Sequence, residues 1–156
     1  MDWFVKSFLK AGLFWLTVGG AAGLAMAVRP TWTVYRAAHT HMMLLGFVTM
    51  MIFGVGYHVI PRFVGVPLRD RRAPVIHWWL ANAGLAVMVA GFALRANGRA
   101  SGTWVLSLGG TLSGTGMLVF AIIIWRTLAG SPPGRRTKPL AEAPPLRPRT
   151  LPMADS

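Results

Sequence analysis

The chain has no cysteine and only four acidic residues, Asp2, Asp70, Glu142 and Asp155. The first absence excludes disulfides, thiolate metal ligands and the thioether attachment of a c-type haem. The second removes further chemistry, because all four acids lie outside the long uncharged stretches of the chain. A carboxylate proton relay within a span, a carboxylate-paired general acid and a triad oriented by a buried acid are therefore unavailable. Charge of either sign is scarce: 13% of residues are charged and 54% are hydrophobic. A soluble domain usually carries about a quarter charged residues.

The remaining charges are clustered and leave four uncharged windows, Ala11–Val28, Ala37–Pro61, Ala73–Leu94 and Ala100–Trp125, each of 18 residues or more. About 20 helical residues cross the ~30 Å hydrocarbon core. The expected fold is all-α, an integral membrane four-helix bundle. Its helices are expected near 11–28, 37–60, 74–94 and 102–126, within one transmembrane domain of residues 1–130. Lys6 and Lys10 ahead of the first window, with Ala25–Ala27 near its end, imitate a signal peptide. The uncharged run is long for a secretory apolar core, so a retained helix is expected.

A net charge of +12 would suggest nucleic acid for a soluble protein. Here membrane topology and a basic tail account for much of it, and no nucleic-acid partner is expected. With the N-terminus cytoplasmic, twelve of the sixteen Lys and Arg residues fall on that side; only Arg29, Arg36, Arg95 and Arg99 fall opposite. The expectation is a multi-pass protein of the bacterial inner membrane, surrounded by lipid, with both termini cytoplasmic. Residues 131–156 hold seven prolines among basic residues, a composition expected of a disordered cytoplasmic tail. In the fourth window Gly110 and Gly114 form a small-x-x-x-small pair suited to tight helix packing.

Three of the four histidines, His39, His41 and His58, lie in the second window, and His77 opens the third. Ionisable groups inside a span mark a candidate functional site. At 100° per residue, His39 and His41 point about 200° apart and cannot ligate one metal from one side. Gly46, Met50, Gly54 and Tyr57 fall within about 60° of His39 on the same wheel. Gly46 and Gly54 leave a groove beside the soft surface of Met50. It suits a flat macrocycle held by His39, or another helix with His39 bonded to a carbonyl. His58 and His77 fall at similar depth near the cytoplasmic end, where they can share a metal or proton, or bond headgroups and water. Two nitrogen ligands alone fall short of a closed zinc site.

The run Arg36-Ala37-Ala38-His39-Thr40, followed by Tyr57-His58-Val59-Ile60-Pro61-Arg62, resembles the second helix of haem-copper oxidase subunit I. The cbb-type oxidase and nitric oxide reductase branch is the most similar. The likeness continues through Gly65-Val66-Pro67-Leu68 and into His77-Trp78-Trp79-Leu80-Ala81-Asn82-Ala83-Gly84, similar to the opening of that family's third helix. The resemblance implies that His39 is an axial ligand of a haem b near the outer face, with Arg36 on a propionate. Relatives often have asparagine at the position of His41, which makes His41 an alternative ligand. The family's later helices supply its other haem and copper ligands. The expectation is therefore a haem b-binding unit acting in electron transfer or in binding a diatomic gas (O2 or nitric oxide), not a complete oxidase. It would be a homo-oligomer or a subunit of a respiratory membrane complex. The alternative is a non-catalytic membrane subunit or assembly partner with structural or copper-binding histidines.

Overall fold

The computed structural model describes residues 2–130, and the expected tail lies outside them. The first helix, α1 (Trp3–Val28), begins well before the uncharged window. The reason is its stripe of Phe4, Phe8, Gly12, Trp15 and Gly19, buried at helical spacing. Lys6 and Lys10 lie on the exposed face, where long cationic stems can reach toward water. Arg29, held extended ahead of Pro30, ends the helix.

The second span runs continuously from Pro30 to Val64 but is not uniform. A 3₁₀ turn (Pro30–Tyr35) leads into α2 (Arg36–His41). A π-helical segment (Met42–Thr49) follows, and α3 (Met50–Val64) completes the span. The Thr49 hydroxyl donates to the Leu44 carbonyl five residues back, at 2.8 Å. Where the sequence places the end of this helix before Pro61, the chain continues helically past it for one more turn. Gly65, at φ 67°, then closes the helix in the left-handed conformation that glycine tolerates.

In α4 (Arg72–Ala96) the Asp70 carboxylate accepts the Arg72 N–H at 2.8 Å. Pro74 occupies the first turn, where its missing N–H would have no helical acceptor. A short turn with Gly98 at φ 72° leads to α5 (Ser101–Leu128). Among the described residues, four helical spans are long and apolar enough to cross a membrane. Their outward surfaces expose Leu24, Val28, Trp104, Leu118 and Trp125, as a lipid-facing bundle requires.

The α4–α5 pair is held backbone to backbone. Gly84 faces the Ser113 backbone, Gly91 faces Leu106, Gly102 faces Arg95 and Gly109 faces Met88; a Cβ at any of these would collide with main chain. Small residues permit such close approach. The expected Gly110–Gly114 pair plays no part in it. Gly114 has open space where its side chain would be, and Gly110 meets only the tip of Met88 at 4.0 Å. The packing stripe is the seven-residue series Gly102, Gly109 and Gly116, all buried.

Two apolar clusters form the core. One, toward the end where α1 and α4 begin, joins Phe4, Val5, Phe8, Met50, Phe53, Tyr57 and Ala81. The other joins Trp15, Ala38, Met42 and Leu85. The ends are in register: Asp2 lies 3.8 Å from Arg71, and Trp3 stacks on Trp78 at 5.8 Å.

Candidate functional site

The four histidines have four different environments. His39 projects from α2 onto α1, where its Nδ1 lies 2.9 Å from the Gly19 carbonyl oxygen. A carbonyl only accepts, so Nδ1 carries a proton, and in the neutral imidazole Nε2 then keeps its lone pair. The imidazole lies against Gly23: a Cβ there would come within 2.9 Å of Cε1 and 3.4 Å of Nδ1. The small-residue patch of α1 is thus a seat for the His39 ring. A metal-bound histidine is commonly oriented in this way, one nitrogen on a carbonyl and the other free to ligate.

His41 turns the other way. Its Nδ1 bonds the Ala37 carbonyl of its own helix at 2.8 Å, and its ring packs on Phe92 of α4 at 4.7 Å. The two histidines therefore meet different helices, as the 200° separation requires. Arg36, at the first position of α2, is exposed. It lies three residues before His39 on the same turn.

The groove expected beside Gly46 and Gly54 is filled from within the chain. Trp15 fills the space at Gly46, with its Cβ and Cγ each 2.6 Å from a built Cβ. Leu9 and Phe8 fill the space at Gly54. Of the two arrangements the sequence left open for that face, the structure has the second, another helix with His39 bonded to a carbonyl. Met50 is buried in the core, with its sulfur 4.0 Å from the Asn82 amide nitrogen.

His58 and His77 are engaged by separate partners. His58 Nδ1 accepts from Arg62 Nη1 at 2.8 Å, one turn along the same helix. His77 is fully buried, and its Nδ1 lies 2.9 Å from the Tyr57 hydroxyl. Phe53, Phe8 and Phe120 surround the His77 ring at centroid distances of 4.4, 4.9 and 5.7 Å. The His77 Nε2 has no hydrogen-bond partner. The pair that joins the second and third spans is thus Tyr57–His77. Tyr57 was visible in the sequence as one of only two tyrosines, adjacent to His58; the signal for its role was its polar hydroxyl inside an apolar span. Tyr57 also lines a pocket of about 380 Å³ with Pro61, Arg62, Pro67 and Leu68, at the end where α3 finishes. Among the described residues no three His, Cys, Asp or Glu side chains group as a metal site.

Comparison with known proteins identifies a family. Residues 4–146 match the family described as Cytochrome C and Quinol oxidase polypeptide I. The chain is 26% identical over 162 aligned residues to the Cbb3-type cytochrome c oxidase subunit CcoN1 of Stutzerimonas stutzeri, covering 83% of this chain and 34% of that protein. It is 28% identical over 129 residues to the Putative cytochrome c oxidase subunit 1-beta of Streptomyces coelicolor, covering 70% of this chain and 22% of that protein. The chain thus spans about a third or less of the length of these relatives. Because the family match runs through nearly all of the four spans and their connections, the chain belongs to the cytochrome c and quinol oxidase polypeptide I family.

Proposed function

We propose that the chain is a haem b-binding unit of a respiratory complex in the bacterial inner membrane, working in electron transfer or in binding a diatomic gas. The observation that carries this reading is the family match over residues 4–146; the 2.9 Å bond from His39 Nδ1 to the Gly19 carbonyl is compatible with it, because a neutral imidazole so bonded keeps the Nε2 lone pair for a metal. Haem, when bound, would supply a one-electron couple and, where a coordination position stays open, a site for O2 or nitric oxide.

His39 would hold the haem iron through Nε2. Gly19 fixes the imidazole tautomer, and Gly23 leaves the space in which the ring is oriented. Arg36, exposed at the start of α2, supplies a guanidinium for a propionate carboxylate, to which its forked donors are matched. Gly46 and Gly54 serve this site indirectly, because they admit the side chains of α1 and so hold α1 against the span that carries His39. His41, also protonated at Nδ1, is the alternative ligand, reached from the α4 side.

The test is the absorption spectrum of the purified chain from haem-replete cells, oxidised and reduced. A b-type spectrum is expected, lost in His39→Ala and retained in His41→Ala; Gly23→Leu, which displaces the imidazole, also loses it. The reverse pattern in the two histidine variants would move the ligand to His41. A colourless protein would overturn haem binding and leave the histidines structural. A reduced spectrum that shifts with carbon monoxide assigns gas binding, and one that does not assigns electron transfer.

A further inference from the structure

Between α1 and α4 a groove of about 400 Å³ opens toward the bilayer, lined by Ser7, Lys10, Ala11, Phe14, Trp78 and Asn82. We infer that this groove holds one anionic phospholipid of the leaflet on which α1 begins. The inference rests on charge complementarity and on the order of groups along the groove, and is independent of haem.

The groove presents a cation, Lys10, and a hydroxyl, Ser7, and its lining contains no carboxylate. Lys10 is exposed and cationic. The Asn82 amide already donates to the Trp78 carbonyl at 2.9 Å. Asp2, the acid at that end of α1, faces Arg71 at 3.8 Å. A matching ligand must bring acceptors and negative charge, as a phosphodiester and its ester carbonyls do.

The groups are also layered as a phospholipid is. Lys10 lies about 10 Å along α1 from Trp3, at headgroup and glycerol depth for a helix that starts at the surface. Ala11 and exposed Phe14 continue about one turn deeper and offer an apolar wall to an acyl chain. The Trp78 ring, 5.8 Å from the Trp3 ring, lies toward the surface end of the groove, where amphipathic rings are favoured. A basic residue near the surface contributes about 1 kcal/mol toward an anionic lipid, which is roughly a five-fold preference.

The full chain reconstituted in nanodiscs of phosphatidylglycerol or phosphatidylcholine, then released into detergent, can be weighed by native mass spectrometry. One retained phosphatidylglycerol per chain is expected, with phosphatidylcholine lost. Lys10→Gln should lower retention about five-fold, and Lys10→Arg should restore it. Lys6→Gln, exposed but outside the groove, should leave it unchanged. Equal loss in Lys6→Gln and Lys10→Gln would overturn the site in favour of diffuse attraction. Equal retention of the two lipids, or retention of neither, would overturn it outright. If Lys10→Gln fails to fold, the comparison of the two lipids on the unaltered chain still decides.

Discussion

Tyr57 and His77 share a hydrogen bond between side chains that is buried among aromatic rings. Removing the Tyr57 hydroxyl leaves both imidazole nitrogens without a partner, because Nε2 already has none. An unsatisfied buried group costs more than the pair's own net contribution, while hydrogen bonds between membrane helices average well under 1 kcal/mol. Tyr57→Phe is therefore expected to destabilise the protein by about 1 kcal/mol, and Tyr57→Phe combined with His77→Leu to recover most of that loss. Thermal unfolding in detergent measures both. A double variant as unstable as the sum of the two single ones would count against a simple structural pairing. At this scale the sequence was legible in depth and not in azimuth. His77 was placed correctly near one end of the bundle, but its partner is Tyr57, one residue and about 100° from the expected His58. For His39 and His41 the angle between them sufficed, because they lie two residues apart on one regular turn.

At the scale of elements, the glycines separate two kinds of helix surface. Gly109 faces main-chain atoms of α4, so Gly109→Leu must push α5 away or break its packing. Such overpacking costs about 1–3 kcal/mol. Gly114 faces open space, and Gly114→Ala should be tolerated and stabilise the protein by up to about 1 kcal/mol through helix propensity. Unfolding temperatures of the two variants, side by side, check this. Both glycines belong to small-residue spacings readable from the sequence. Which spacing meets α4 depends on the rotation of α5, and a helix that is apolar all round carries no amphipathic stripe to reveal it. The start of α1 was missed for a related reason. Counting from the last charge hides a helix whose lysines sit on its exposed side, although Phe4, Phe8, Gly12 and Trp15 trace the buried stripe from its first turn.

For the whole molecule, charge distribution makes the sharpest claim. The end at which α1 and α4 begin and α3 ends carries Lys6, Lys10, Arg62, Arg69, Arg71 and Arg72, and the positive-inside rule assigns that end to the cytoplasm. The chain offers a clean background for the test because it has no cysteine. Arg69→Cys lies in the connection between α3 and α4, and Ser101→Cys lies at the opposite end; both positions are exposed. On intact spheroplasts an impermeant maleimide should label Ser101→Cys and spare Arg69→Cys. The opposite pattern would invert the protein, and the His39 seat with it. The four-span architecture itself was plain from the uncharged windows, since length and hydropathy decide it. Which chain segment would occupy the groove beside Gly46 and Gly54 was not, because that depends on how α1 packs across the bundle.

The π-helical segment between His41 and Met50 bears on all of this. Wound with more residues per turn than its neighbours, it joins two halves of one rod. The half nearer Arg36 is keyed to α1 by His39 on Gly19, and the half nearer Val64 to α4 by Tyr57 on His77. Such a widened segment absorbs one extra residue, so losing one there would let the rod wind as an ordinary helix with its two halves near their present phase and both keys still within reach of their locks.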